Sequence, residues 1–418
     1  MMSSNVLKVA VVSDLHFANA DNVPNSDNHS WLTFNADGSF NNSFWENLLS
    51  KIKADHVRAD VLVCPGDITT NAEPAALAFA WEKLNLLAAE LGCKILATAT
   101  GNHDVTSRLT ELENPIRDLD KDGSLVEHLK LLSPNYPLVN LVESDEEKAH
   151  NQRVHYFGSN FLVHDENDKY RLIILNSCGS HTSAQADYER GFVSESTRVW
   201  LDEHLNKIKS KQNKKLGILV CHHHPILHSD HNLGTYDFMS GGSLLLDMLN
   251  KYGNWIIIHG HKHHAKLTYH TSGSKKSVVF AAGTLAAHKK SLGTHFANQF
   301  YIMNVELDKQ KGTPQGTLDV YSWQANSWSL SKRTSDGIYT GVGFGDVGCL
   351  EDLAEKIANS LPPLGKAEWQ NIVDQHDCMK YCVPQDLKYL ESHLRERYID
   401  IIKSADSEIE FLERSKGE

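Results

Sequence analysis

Short polar motifs that closely follow apolar runs constrain this chain more than any other feature of its sequence. The apolar runs are rich in β-branched residues and are bounded by glycine, proline or polar residues, which is typical of buried strands. Between the early runs lie segments with helical spacing of apolar residues, such as Phe44–Asp55 and Pro74–Leu91. Because strands alternate with helices, we predict an α/β domain. The five motifs are, in order, Asp14-Leu15-His16, Gly66-Asp67, Gly101-Asn102-His103-Asp104, His222-His223-His224-Pro225 and Gly260-His261-Lys262-His263.

The position of these motifs predicts one shared site. Open α/β sheets place their sites at the carboxyl ends of strands, so motifs that are distant in sequence are expected to converge there. Aspartate and asparagine supply oxygen ligands and neutral imidazole supplies nitrogen, a combination that suits divalent transition metals. One bridging carboxylate would hold two such metals roughly 3.5–4 Å apart, the spacing used in phosphoryl displacement. No cysteine lies among these residues, which argues against a structural zinc site.

Composition agrees with metal chemistry in a globular protein. The chain has 24 histidines in 418 residues, with no run at either end that would indicate a tag. Hydrophobic residues make up 41% of the chain, enough for a large core. The formal net charge of −12 disfavours nucleic acid as a partner, because phosphate backbones repel an acidic chain, although a local metal site could override this.

The apolar and cysteine content bear on location. No apolar stretch approaches the roughly 18 residues needed to span a membrane, so we predict no membrane association. The seven cysteines are odd in number and scattered, which indicates reduced thiols and a cytoplasmic location.

Composition also predicts how the chain is divided. A change near residue 325 predicts a core domain over 1–324 and a partly helical C-terminal extension over 325–418. Two long polar insertions, 18–43 and 105–153, begin next to candidate site residues and are expected to shape the pocket. The charged stretch Leu387–Glu413 is predicted to be an amphipathic helix, either solvated or forming a homo-oligomer contact.

In this order, the five motifs resemble those of the calcineurin-like metallophosphoesterase superfamily, over about residues 7–310. The resemblance implies a four-layer α-β-β-α sandwich of two mixed sheets. The Gly-Asn-His-Asp and His-His-Pro sequences are most similar to the cyclic-nucleotide phosphodiesterase branch. Protein Ser/Thr phosphatases carry Asp-Arg-Gly after the second motif, whereas Ile68-Thr69-Thr70-Asn71 follows here. Purple acid phosphatases have a ligand tyrosine at the position of Thr70.

The resemblance also implies roles for individual residues. Two metal ions, Mn, Fe or Zn, would be bound, and a metal-bound hydroxide would attack the phosphorus. His103 would act near the leaving-group oxygen, oriented by Asp104. The His two places before Pro225 is the family ligand, which indicates His223, with His222 as the alternative. The first metal would take Asp14, His16, Asp67 and His263, and the second would take Asp67, Asn102, His223 and His261.

These expectations favour hydrolysis of a phosphodiester in a small nucleotide-like substrate, possibly a cyclic nucleotide. The alternatives are a Mn-dependent repair-type nuclease of DNA or RNA, which would need a basic groove, a phosphomonoesterase, and an inactive binding scaffold. Taken singly, each motif residue could be a loop cap or turn residue. The flanking histidines are expected to support the ligands or to face the strands rather than to bind metal: His222, His224, His259 and His264.

Overall fold

The computed structural model describes residues 6–21, 30–35, 37–40, 42–70, 72–106, 126–166, 168–181, 185–208, 215–228, 236, 238–288, 297–308, 312–361 and 365–415. The strands are β1 Leu7–Val11, β2 Ala18–Asn19, β3 Thr33–Phe34, β4 Val61–Cys64, β5 Ile95–Thr98, β6 Leu138–Asn140, β7 Phe161–His164, β8 Tyr170–Leu175, β9 Leu216–Val220, β10 Trp255–His259, β11 Lys266–Ser272, β12 Lys275–Ala281, β13 Gln299–Leu307, β14 Pro314–Gln324, β15 Ser327–Leu330, β16 Gly343–Phe344, β17 Lys366–Glu368, β18 Ile399–Lys403 and β19 Ile409–Arg414. The α-helices are α1 Ser43–Ala54, α2 Pro74–Glu90, α3 Glu127–Lys130, α4 Glu146–Ser159, α5 Gln185–Arg190, α6 Glu195–Ile208, α7 Gly242–Leu249, α8 Leu350–Ser360, α9 Trp369–Gln375 and α10 Pro384–Arg395.

The first large sheet is mixed and runs in the order β15-β14-β13-β1-β4-β5-β6, with β16 paired to β14. Strands β1, β4 and β5 are parallel, with Val9 opposite Val61 and Val61 opposite Ile95. Strand β13 is antiparallel to β1. Because the three parallel strands are neighbours, the first three motifs leave this sheet along the same edge.

The second sheet is also mixed, in the order β11-β12-β10-β9-β8-β7. Its central strands β8, β9, β10 and β12 are parallel, whereas β7 and β11 are antiparallel to their neighbours. Strands β9 and β10 therefore deliver the fourth and fifth motifs side by side.

The two sheets face each other across a shared apolar core. Side chains alternate along β9: Ile218 and Val220 belong to the core between the sheets, whereas Leu219 packs in a separate outer core against α6 and α7. Helices α1 and α2 cover the first sheet, through residues such as Leu48 and Leu84. The predicted four-layer α-β-β-α sandwich is confirmed.

The predicted insertion 105–153 contains ordered elements as well as loop. Strand β6 extends the edge of the first sheet beside β5, and α3 and the start of α4 also lie in this stretch. Residues 107–125 lie outside the described part of the chain.

The C-terminal extension forms its own small core from α8, α9, α10 and the sheet β17-β19-β18. The helix predicted over Leu387–Glu413 is wrong beyond Arg395, since β18 and β19 form an antiparallel hairpin there. Ile399 and Leu412, in the two strands of this hairpin, are fully buried in that core, a packing that favours strand over charged helix. Among the described residues, no helix is long and apolar enough to cross a bilayer.

Candidate metal centre

The five motifs meet at the carboxyl ends of β1, β4, β5, β9 and β10. Asp14, His16 and Asp67 all have φ near +51°. This left-handed conformation turns the backbone sharply after β1 and after β4. The loops then pair, since the Asp14 amide donates to the Gly66 carbonyl at 3.2 Å. A Cβ atom on Gly101 would lie 2.2 Å from the Asp67 amide nitrogen, so the third motif needs glycine for this close approach.

One group of donor atoms joins β1, β4 and the fifth motif. The Nε2 atoms of His16 and His263 lie 3.1 Å apart. His263 Nε2 is 3.5 Å from Asp14 Oδ1, and His16 Nε2 is 3.9 Å from Asp67 Oδ2. We name these four residues, Asp14, His16, Asp67 and His263, the first donor set.

A second group lies next to it and uses the same aspartate oxygen. His222 Nε2 is 3.3 Å from Asp67 Oδ2 and 2.9 Å from Asn102 Oδ1. His261 Nδ1 is 3.1 Å from Asn102 Oδ1 and 3.2 Å from His222 Nε2. We name Asp67, Asn102, His222 and His261 the second donor set, and Asp67 Oδ2 is common to both sets.

The surroundings of the two imidazoles in the second set decide which nitrogen carries the proton. His222 Nδ1 lies 3.0 Å from the Pro65 carbonyl and His261 Nε2 lies 2.7 Å from the Glu189 carbonyl. A carbonyl only accepts, so both of these nitrogens donate, and the neutral rings carry their lone pairs on His222 Nε2 and His261 Nδ1. Once His222 Nε2 has lost its proton, four acceptor atoms converge, an arrangement that a metal cation satisfies.

Burial and neighbouring charges shift the pKa values of the same donor residues. Burial raises the pKa of Asp67, but the neighbouring His222 and His103 outweigh it, so its pKa lies well below the ordinary value. Burial lowers the pKa of His16 to about 4 and that of His261 well below its usual value, so these rings are neutral. Burial also lowers the pKa of His222, but Asp67 raises it to about 9 overall, so a metal would displace a proton here.

His223 lies beside this cluster, and one of its donor atoms is within 4.8 Å of donor atoms of His222 and His261. Its Nδ1 is 2.8 Å from Ser177 Oγ, and its ring packs on Gly191, where a Cβ would lie 2.3 Å from the ring. His222 makes the closer contacts with Asp67 and Asn102 and is therefore placed in the second donor set. The choice between His222 and His223 as the metal ligand stays a prediction.

The period-two pattern of β9 contains the signal for His222. Ile218 and Val220 face the core between the sheets, and His222 continues the same alternation toward Asp67 and Asn102 on the opposite sheet. His223 follows Leu219 and Cys221, which face the outer core.

His103 and Asp104 lie at the edge of the first donor set. The His103 amide donates to Asp67 Oδ1 at 2.8 Å, and its ring lies edge-on to His16 with centroids 4.8 Å apart. The Asp104 carboxylate accepts from the Thr69 amide at 3.0 Å and the Gly101 amide at 2.9 Å. Asp104 therefore holds the backbone of the turn that carries His103. Burial raises the pKa of Asp104 to about 7.

The family model described as calcineurin-like phosphoesterase matches residues 7–265, which includes every strand that carries a motif. The chain belongs to this family. The branch within the family stays a prediction. A second family model, wHTH-Calcineurin_assc, matches residues 342–396 in the C-terminal extension. No curated protein matches the chain significantly.

Solved structures similar to this chain include a putative 5'-nucleotidase from Staphylococcus aureus, with 13% identity and a TM-score of 0.37 over 76% of this chain and 53% of that one. The NAD nucleotidase NadN from Haemophilus influenzae has 11% identity and a TM-score of 0.38, over 78% of this chain and 53% of that one. Vps29 from Chaetomium thermophilum has 13% identity and a TM-score of 0.27, over 77% and 95% of the two chains. The chain spans about half the length of the two nucleotidases.

Proposed function

We propose that this protein hydrolyses a phosphodiester bond in a small nucleotide-like substrate, with two divalent metal ions. The observation that carries the proposal is that Asp67 Oδ2 lies within 3.3 Å of His222 Nε2 and 3.9 Å of His16 Nε2, so one carboxylate oxygen belongs to both donor sets. A shared carboxylate is how proteins hold two metals close enough to act on one phosphoryl group.

The donor chemistry fits Mn, Fe or Zn, because each set combines carboxylate or amide oxygen with neutral imidazole. In this proposal the second ligand set contains His222 rather than His223. Metals bound there would supply Lewis-acid activation of water and would neutralise charge on the phosphoryl oxygens. The two sets are Asp14, His16, Asp67 and His263, and Asp67, Asn102, His222 and His261.

His103 is the group that we propose protonates the leaving oxygen. Its ring is partly exposed beside His16, so a substrate at the cluster can reach it. The hydrogen bond from its own amide to Asp67 Oδ1 fixes its backbone relative to the shared carboxylate. Asp104 acts as a positioning residue through the turn backbone.

A cation and an aromatic ring, with the cation adjacent in sequence to Glu189, support a nucleotide-like substrate. The Arg190 guanidinium carbon lies 5.1 Å from the centre of the Tyr236 ring. Arg190 follows Glu189, whose carbonyl holds the His261 ring. Such a pair can stack on a base and bind a phosphate at the same time.

All seven cysteines are free, which supports the proposal of a cytoplasmic location.

The test is a substrate panel with stripped protein reloaded with Mn, Fe(II) or Zn. We expect hydrolysis of an aryl phosphodiester and of a cyclic nucleotide, with less turnover of an aryl phosphomonoester. Degradation of single-stranded DNA in preference to both would instead indicate a nuclease. A metal-loaded protein that hydrolyses none of these esters would contradict the proposal.

A matched variant separates substrate class from chemistry. Replacing Arg190 with Ala should raise KM for the nucleotide about tenfold, because it removes a phosphate or base contact, and should leave the aryl diester nearly unchanged. Equal losses on both substrates would remove the support for a nucleotide.

A further inference from the structure

Three buried side chains beside the metal centre bring a thiol and two imidazoles together. Cys178, His181 and His223 each offer a donor atom, and these atoms all lie within 4.8 Å of one another. The three residues are only 2%, 5% and 0% exposed. Cys178 and His181 belong to neither donor set of the metal centre, so the proposed phosphoesterase activity does not account for them.

The fold places these residues together through two neighbouring parallel strands. Cys178 and His181 lie in the loop after β8, and His223 lies in the loop after β9. The His181 amide donates to the Cys178 carbonyl at 3.1 Å, which closes a Cys-x-x-His turn. Gly191 makes room for the His223 ring, since any side chain there would collide with it.

The orientation of His223 suits a metal ligand. Ser177 Oγ lies 2.8 Å from its Nδ1, and a hydroxyl that accepts the Nδ1 proton leaves the lone pair on Nε2. Histidines that bind metals commonly have their other nitrogen held in this way. His181 and His223 also lie edge to face, with ring centroids 5.4 Å apart.

The donor chemistry suits zinc. Thiolate and imidazole are both zinc ligands, and tetrahedral zinc at about 2.0–2.3 Å from each donor holds its donors roughly 3.3–3.8 Å apart. A contraction of about 1 Å would therefore complete the site. The Cys178 thiol now donates to the Thr100 carbonyl at 3.2 Å. Zinc binding would release this proton to solvent and replace the S–H bond with an S–Zn bond.

We propose that Cys178, His181 and His223 bind a third metal ion, a zinc, with water in the fourth position. The ion would tie the loop after β8 to the fourth motif. It would also fix His223 next to His222, a ligand in the second donor set. Its role is to hold that loop in place, separately from the hydrolytic step.

Metal content tests this directly and requires no activity. We expect stripped, zinc-reloaded wild-type protein to hold about three ions per chain, and Cys178→Ser to hold about two. Cys221→Ser is the matched control, because Cys221 is equally buried and belongs to none of the donor groups found among the described residues. It should keep all three.

Cobalt gives a spectroscopic readout specific to the thiol. Within the described part of the chain, no other group of three donors includes a cysteine. A thiolate-to-cobalt charge-transfer band should therefore appear in wild type and Cys221→Ser, and be lost in Cys178→Ser. His181→Asn, in the same loop, should weaken the band and serves if Cys178→Ser does not fold. Two ions in wild type, or a band that survives Cys178→Ser, would overturn the proposal.

Discussion

Two groups of histidines lie at the same strand ends and differ in what surrounds them. His222 and His261 each have one ring nitrogen held by a backbone carbonyl and the other directed at Asp67 or Asn102. His224 and His259 lie behind them, with ring centroids 4.5 Å apart. Burial lowers the pKa of His259 to about 3 and that of His224 well below its usual value, so these two rings are also neutral.

The difference is the basis on which we propose the front histidines, and not the rear ones, as metal ligands. Burial lowers the pKa of the rings in both groups, although Asp67 raises the pKa of His222 to about 9 overall. The front group, His222 and His261, also has ring nitrogens oriented by backbone carbonyls, and Asp67 Oδ2 lies 3.3 Å from His222 Nε2 to attract a cation. His224 and His259, the rear pair, belong to none of the three-donor groups found among the described residues.

The largest effect on hydrolysis should come from replacing Asp67, the carboxylate that contacts the front group. Asp67→Asn should reduce hydrolysis by on the order of 10³-fold or more, because the shared ligand and its charge are both removed. Metal analysis should show that both ions of the centre are lost or weakly held. Full activity in this variant would contradict a two-metal centre, and circular dichroism of the variant provides the control for folding.

The difference between the front group and the rear pair is tested by comparing the variants His222→Ala and His224→Ala. His222→Ala should lose one ion and reduce turnover about 10²-fold or more, because a ligand with a fixed tautomer is removed. His224→Ala should keep the metal content and lower the free energy of unfolding by about 1–3 kcal/mol through the cavity that it leaves. The reverse pattern would show that the rear group binds metal.

The sequence predicts the sheets and the convergence of the motifs well, because buried strands have a strong apolar pattern and parallel strands end at one edge. It predicts Asp14, His16, Asp67, Asn102, His261 and His263 as neighbours for the same reason. The choice between His222 and His223 depends on strand alternation continuing past Val220, which a spacing rule from Pro225 does not contain. The sequence does not predict the hairpin after Arg395, because charged residues dominate this stretch and only a few residues, such as Ile399 and Leu412, are buried.

A smaller effect on rate, with no effect on metal, is expected from His103. His103→Ala should lower kcat about 10²-fold by removing the proton donor. The loss should be smallest for a diester with a good aryl leaving group, which needs little protonation. Loss of metal along with the rate, or equal losses for all leaving groups, would show that His103 acts through the front group rather than on the substrate.

The smallest effect should come from a carboxylate that has permanent cationic partners instead of a metal. Asp165 Oδ2 lies 2.9 Å from Arg171 and Oδ1 lies 3.1 Å from Lys215. Burial raises the pKa of Asp165, but these partners lower it below the usual value. Its stabilisation is therefore present above the ordinary pKa of 3.8 and is lost as pH falls through the lower folded value.

Asp165→Asn should lower the free energy of unfolding by about 1 kcal/mol at neutral pH, as measured by urea unfolding. The difference from wild type should shrink toward acid pH. Adding a chelator should not change this difference in the free energy of unfolding. A chelator should, in contrast, lower the stability that bound metal gives to the front group. A dependence on chelator would remove the distinction between the two kinds of carboxylate site.

The most direct test of the two-metal account is a crystal structure of manganese- or zinc-loaded protein with anomalous scattering. Apart from the zinc proposed at Cys178, we expect two peaks roughly 3.5–4 Å apart on either side of Asp67 Oδ2, with His222 Nε2 about 2.0–2.2 Å from the second one. A single peak at the strand ends, or coordination of the second ion by His223 in place of His222, would contradict it.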